Sequence, residues 1–134
     1  LEPPCQFRLE RGFWIDVAKV KKPTDLSAGV PWVSFVDTSA VGRWLRVRSR
    51  RNGDVFHPLG LAHPKKLNDF FTDSQIPRAW RDRVPLVEAE RGILWVAGCR
   101  PAEWGKLRNQ SKYALRLEMV GPQVPHKAAA GALN

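Results

Sequence analysis

A regular alternation of side chains from Trp44 to Arg50 constrains the fold more than any other feature of this sequence. Side chains on a β-strand point to opposite faces in turn. One face of such a strand would carry a tryptophan and three arginines: Trp44, Arg46, Arg48 and Arg50. Leu45 and Val47 would point the other way, into a core. Asn52-Gly53 follows and predicts a hairpin or bulge, because both residues tolerate a positive φ.

Strand patterns recur along the rest of the chain. The segments FRLERGFWIDVAKV, WVSFVD and KYALRLEMV alternate in the same way. The segments PLVEAE and ILWVAG predict a hairpin that turns at Arg91-Gly92, with ILWVAG as a fully buried strand. The sequence therefore predicts a β-rich α+β domain, although periodicity does not give its topology.

The segment HPKKLNDFFTD changes to a helical period. Leu67, Phe70 and Phe71 are spaced i, i+3, i+4, which places them on one face of a short helix. Pro64 suits the first helical turn, and Pro77 disfavours helical geometry at the residue before it. The segment PRAWRDR then predicts a second helical turn. One or two short helices should therefore lie between the strands.

Positive charge is concentrated in the later part of the chain. The net charge is +9, and residues 1–40 hold five basic and five acidic residues. Residues 41–120 hold sixteen basic and eight acidic residues. This excess indicates an acidic partner, although a solubilising surface would also produce it. No apolar run approaches the roughly 18 residues that cross a bilayer, so we expect no membrane contact.

The residues that could carry chemistry do not form a catalytic pattern. His57 and His63 flank a loop without acidic or cysteine residues at metal-ligand spacing, which favours a structural role. Cys5 and Cys99 also lack that spacing. Cys99 is predicted to be a buried free thiol, and we expect a cytoplasmic protein. The carboxylates Asp69, Asp73 and Asp82 stand near basic residues and are predicted to be helix-surface residues or ion-pair partners rather than an acid/base pair.

The central segment resembles the C-terminal domain of the tRNA(Ile)-lysidine synthetase family (TilS, also called MesJ). The resemblance covers about Val41 to Val120 and depends on many matches in order. The stretches that carry it read VRSRRNGDVFHPLG, KKLNDFF, IPRAWRDRVPLV and GILWVAGCR. The start of the chain, LEPPCQF, shows no initiator Met and indicates a piece of a longer polypeptide.

The resemblance implies a fold and a function. The fold would be a β-sandwich-like domain similar to one in the phenylalanyl-tRNA synthetase β subunit (the PheT/TilS type). The parent would be an ATP-dependent ligase that attaches lysine to the anticodon cytidine of tRNA(Ile). ATP and Mg would belong to its catalytic domain, with no cofactor in this domain. The implied partners are tRNA(Ile), on its acceptor-stem side, and the catalytic domain of the same polypeptide.

Basic side chains would supply the RNA contacts. A-form RNA hides its bases in a deep groove, so a protein contacts phosphates and 2′-hydroxyls, which requires cations in fixed positions. We predict a row of guanidinium groups on one strand face, two lysines at a helix N-terminus and three arginines beside them. These residues are Arg46, Arg48, Arg50, Lys65, Lys66, Arg78, Arg81 and Arg83. One arginine of the row could instead form an ion pair with Asp54 or Asp82.

Two functions other than RNA binding are also considered, and the chain is divided into three parts. The domain could instead dock on the catalytic half with little RNA contact, through exposed Trp14, Trp44 and Trp104. A stand-alone enzyme is the weakest alternative. We divide the chain into N-terminal strands (1–40, with a possible join to a preceding domain), the tRNA-binding domain (41–120) and a flexible tail (121–134).

Overall fold

The computed structural model describes residues 5–9, 12–24 and 31–121, and within them nine strands and one α-helix form the domain. The strands are β1 Cys5–Arg8, β2 Trp14–Lys21, β3 Val33–Asp37, β4 Leu45–Arg48, β5 Val55–Phe56, β6 Lys65–Lys66, β7 Leu86–Ala89, β8 Gly92–Val96 and β9 Tyr113–Val120. The helix α1 spans Leu67–Asp73. Short 3-10 helices span Thr38–Ala40, Arg78–Arg83 and Glu103–Gly105.

The strands form three antiparallel sheets. Sheet A has the order β1-β2-β9-β3, sheet B has the order β4-β7-β8, and β5 pairs with β6 in a small third sheet. These sheets and short helices confirm the predicted β-rich fold class. The predicted β7–β8 hairpin is confirmed, but its turn lies one residue earlier than predicted: Glu90 and Arg91 form the turn, and Gly92 already pairs with Ala89 as the first residue of β8. A bulge lies between Val87 and Glu88.

Two apolar clusters give the domain its layers. In the first, side chains of β2, β3 and β9 in sheet A pack against β4, β7 and β8 in sheet B. In the second, the opposite side of sheet B packs against α1 and β5, with Leu86, Ile93 and Val96 meeting Phe56 and Phe71. Sheet B is therefore covered on both sides, which explains why β8 is continuously apolar rather than alternating.

Sheet A joins segments that are distant in the sequence. β9 lies between β2 and β3, with Val17 opposite Leu117 and Val36 opposite Leu115. The alternation predicted for KYALRLEMV is confirmed, because Leu115 and Leu117 are buried in the first cluster. The predicted boundary at residue 40 thus separates β1, β2 and β3 from β9, although all four strands belong to sheet A. Most of the predicted tail, residues 122–134, lies outside the described residues.

Two local predictions were wrong. The helix begins at Leu67, not near Pro64, because Lys65 and Lys66 are extended and pair with β5. The Asn52-Gly53 turn forms, because the Asp54 amide donates to the Arg51 carbonyl. It does not close a hairpin, however, because β4 pairs with β7 and not with β5. In both places tertiary pairing overrides a local signal.

The second 3-10 helix, Arg78–Arg83, confirms the helical turn predicted for PRAWRDR. Pro77 precedes its first residue, and Leu67, Phe70 and Phe71 form the buried face of α1 as predicted. Cys99 is a free thiol but only half-buried, and that burial raises its pKa. Within the described residues no helix is long and apolar enough to cross a membrane.

Candidate nucleic-acid interface

Arg48 is held inside a cluster of ion pairs. Its guanidinium group donates to both carboxylate oxygens of Asp54 at 3.0 and 2.9 Å, and to Glu88 at 3.1 and 3.2 Å. Only 11% of its side chain is exposed. Arg46 lies directly opposite Glu88 in the β4–β7 pairing and donates to the same carboxylate. All three arginines of the predicted row are paired with acids, and Arg48 is the least exposed of them, so it braces the strand.

The acids of this cluster are held in their charged form. Burial raises the pKa of Asp54 and of Glu88, but hydrogen bonds and charge from Arg48, together with the Arg51 amide at Asp54 and Arg46 at Glu88, outweigh burial. The pKa of each carboxyl therefore lies below its usual range. The backbone N–H of Arg51 also donates to Asp54, at 2.7 Å. Two arginines, Arg46 and Arg48, thus meet two carboxylates, and the cluster is close to neutral.

Arg50 connects two helices. Its Nε donates to Asp82 at 2.8 Å, in the 3-10 helix Arg78–Arg83, and one terminal nitrogen donates to the Asn68 side chain at 2.8 Å, in α1. Asp82 is 76% exposed, so water screens this pair. The predicted ion pairing of Asp82 is confirmed, and so is that of Asp73, which contacts Lys65.

Arg81 lies inside the protein. It donates to the carbonyls of Ile76 at 3.0 Å and Asn68 at 3.4 Å, and to the Thr72 hydroxyl at 3.2 Å. Its guanidinium also stands 5.7 Å from the centre of the Phe71 ring. Since Arg81 is buried, with its donors directed to these internal acceptors, it fixes the 3-10 helix to the end of α1. The sequence predicts Arg81 to be a surface cation that contacts RNA, and its burial corrects that position.

The remaining cations are accessible and their elements are linked by direct contacts. Lys66 immediately precedes α1, and the Leu67 amide donates to the carbonyl of Asp54, whose carboxylate binds Arg48. Arg50 ties the same region to the 3-10 helix. We call the cations of these elements the basic patch: the exposed Arg46, Arg51, Lys66, Arg78 and Arg83, and the half-buried Arg50 and Lys65. Arg51 was missed at the sequence level, although it continues the run RSRR.

Exposed aromatic rings lie at this region. Trp80 is 57% exposed in the 3-10 helix, with the guanidinium of Arg83 at 5.7 Å from its ring centre. Trp44 is 36% exposed, with Arg46 at 5.1 Å. Of the three tryptophans predicted to be exposed, Trp44 is confirmed, whereas Trp14 and Trp104 are partly buried. Trp104 packs against both apolar clusters, because Glu103–Gly105 lies at their junction.

Trp80 was missed at the sequence level. The available signal is a tryptophan between Arg78 and Arg83 in a short segment bounded by prolines, since such a segment offers few apolar neighbours to cover an indole ring.

The other polar sites are structural. His57 lies with Nε2 at 2.7 Å from the Leu61 carbonyl, and its own carbonyl accepts from the Glu103 amide, which confirms a loop-bracing role. A groove of about 610 Å³ near Trp104 has a mixed lining, in which Asp37 pairs with Arg108. Burial raises the pKa of Asp37, but hydrogen bonds from Ser39, Ser111 and Arg108 bring it well below its usual range. Among the described residues, no group of His, Cys, Asp and Glu could hold a metal ion.

Comparison with known proteins places this β-rich domain with its basic surface in a family. The family model described as the TilS substrate C-terminal domain matches residues 45–118, more than half of the chain. A crystal structure of a TilS C-terminal domain matches with a TM-score of 0.77 and 30% identity, covering 92% of this chain and 95% of that one. The chain belongs to the TilS substrate C-terminal domain family.

Curated relatives agree with this membership. The tRNA(Ile)-lysidine synthase of Dehalococcoides mccartyi is 37% identical over 127 residues, which is 87% of this chain and 27% of that protein. Those of Caldanaerobacter subterraneus and Geobacillus kaustophilus are 35% and 42% identical, over 81% and 66% of this chain and 22% and 19% of the relatives. The chain therefore spans about a quarter of the length of these relatives.

Proposed function

We propose that this chain is the tRNA-binding domain of a tRNA(Ile)-lysidine synthase and contacts the acceptor-stem side of tRNA(Ile). The parent would be the ATP-dependent ligase, with ATP and Mg held in its catalytic domain. The observation that supports RNA binding is the subset of the basic patch that is exposed and not paired with an acid among the described residues. Among the described residues, Lys66, Arg78 and Arg83 have no carboxylate partner within ion-pair distance, so their charge is available to phosphates.

The arrangement suits a reader of RNA shape. Arg48 and Arg81 fix the strand and the 3-10 helix from inside, so the exposed cations project from a braced framework. Phosphate contacts of this kind fix register and orientation without reading sequence. The domain would thus recognise the helical form of the stem, and identification of the anticodon would belong to other parts of the parent.

Charge reversal in the basic patch tests this proposal. The variant Lys66→Glu/Arg78→Glu/Arg83→Glu should weaken binding of a tRNA(Ile) transcript by about tenfold or more near 0.1 M salt, because each phosphate contact contributes a counterion-release term. The slope of log affinity against log salt should become shallower by about two to three. Fluorescence anisotropy across a salt series measures both quantities.

A matched control separates local contact from net charge. Lys19→Glu/Lys21→Glu/Lys112→Glu changes the charge by the same amount at exposed positions of sheet A and its flanking loop. This variant should keep the wild-type salt slope. Equal losses in the two triple variants would refute a localised RNA interface. Unchanged tRNA affinity in both would favour the alternative, docking on the catalytic half with little RNA contact.

A further inference from the structure

The exposed ring of Trp80 suggests a second kind of RNA contact. We propose that Trp80 and Arg83 form a stacking site for an unpaired nucleobase beside the helical RNA that the basic patch contacts; this inference rests on the proposed function. Aromatic side chains bind unpaired bases by stacking, with little dependence on base identity, and arginine adds a cation–π contribution. Paired bases inside an A-form helix do not offer a free face.

Trp80 is the most exposed of the described tryptophans, at 57% against 36% for Trp44. Trp95 is fully buried in β8, and Trp104 packs against both apolar clusters. An indole ring normally contributes its large apolar surface to a core or an interface. Trp80 leaves more than half of that surface in water, although it belongs to a helix that is fixed on its other side.

The backbone that carries Trp80 is held firmly. The Trp80 amide donates to the Pro77 carbonyl at 2.9 Å. The next residue, buried Arg81, donates to two acceptors in α1, on Asn68 and Thr72, and to the Ile76 carbonyl after it. Asp82 is bound in turn by Arg50. A ring presented from a fixed backbone loses little conformational entropy on stacking, which favours a binding role over an accidental surface position.

The charges around the ring define the ligand. Arg83 lies at 5.7 Å from the ring centre, and Arg78 begins the same 3-10 helix, so the helix that carries the ring has a cation at each end. A base stacked on Trp80 would bring its phosphates to these guanidinium groups. The ligand class is therefore an unpaired nucleotide continuous with a duplex, at a single-stranded extension or at a bulge.

Three RNAs with one common stem test the inference: a blunt-ended hairpin, the same hairpin with a short 3′ single-stranded extension, and the same hairpin with one bulged nucleotide. Wild-type protein should bind at least one of the two RNAs with unpaired bases about fivefold or more tighter than the blunt hairpin. Trp80→Ala should abolish this preference while leaving affinity for the blunt hairpin within about twofold. Trp80→Phe should retain part of the preference.

Trp44→Ala serves as the matched control, because Trp44 is also exposed and also stands beside an arginine. It should keep the preference, and urea unfolding should show that Trp80→Ala remains folded. Equal wild-type affinities for all three RNAs, or equal losses on all three in Trp80→Ala, would overturn stacking and leave the proposed function standing. Absence of wild-type binding to any of the RNAs and to tRNA(Ile) would refute both.

Discussion

At the scale of single residues, the arginines of this domain have different structural roles although their neighbouring residues in the sequence are similar. Arg48 and Arg81 are internal braces, Arg50 joins two helices, and Arg83 is accessible beside an exposed ring. Sequence reasoning identified the region but not this division. One acid that determines the role of Arg48 is Glu88, which lies forty positions away on the neighbouring strand. The alternation of side chains along one strand does not indicate which acids lie opposite it.

Replacement of Arg48 by methionine should destabilise the domain strongly. Arg48→Met keeps much of the side-chain volume but leaves two nearly buried carboxylates, Asp54 and Glu88, without their main donor. We expect a loss of about 3 kcal/mol in the free energy of unfolding at pH 7, as for other broken buried pairs. Urea denaturation followed by tryptophan fluorescence measures this change.

The same variant has a definite pH dependence. Arg48 lowers the pKa of both carboxyl groups below the unfolded values of about 3.9 and 4.3. The stabilisation is therefore present above about pH 5 and is lost as the pH falls through the folded values. The difference between wild type and Arg48→Met should shrink between pH 5 and pH 3. Asp82→Asn, at an exposed pair, should change stability by less than about 0.5 kcal/mol, and a loss as large as that of Arg48→Met would contradict the distinction.

At the scale of elements, the sequence predicted the strands and helices whose pattern of apolar residues lies within a single segment. The β7–β8 hairpin, the alternating strand β9 and the buried face of α1 all follow from local periodicity. The errors concern segments whose structure is decided elsewhere. Lys65 and Lys66 are extended because Val55 and Phe56 pair with them, and helical spacing does not reveal a two-residue strand.

The 3-10 helix Arg78–Arg83 should depend on the forked shape of Arg81. Arg81→Lys keeps the charge but cannot reach the acceptors on Ile76, Asn68 and Thr72 together. We expect amide hydrogen exchange in this helix to become about tenfold faster, equivalent to about 1.4 kcal/mol. Arg83→Lys is the charge-matched control at an exposed position of the same helix. Equal exchange rates in the two variants would show that Arg81 does not fix the helix.

At the scale of the whole molecule, the basic patch and the N-terminal strands belong to different layers of one body. The patch is carried by β4 and the segment after it, by β6 and by the 3-10 helix Arg78–Arg83, whereas β1 and β2 lie in sheet A. The first apolar cluster joins the layers through Ile15 and Val36 of sheet A and Leu94 of sheet B. Residues outside the family-matched range 45–118 thus complete the core beneath that range.

Removal of residues 1–40 should therefore prevent stable folding. It deletes both neighbours of β9 in sheet A and uncovers Leu115, Leu117 and Val87, which are buried in the first cluster. Unpaired backbone groups and exposed apolar surface both oppose folding. We expect residues 41–134 to lack a cooperative urea transition by circular dichroism, and added peptide 1–40 to restore one. A cooperative transition in 41–134 alone, with the wild-type midpoint, would show that the family-matched region folds without sheet A.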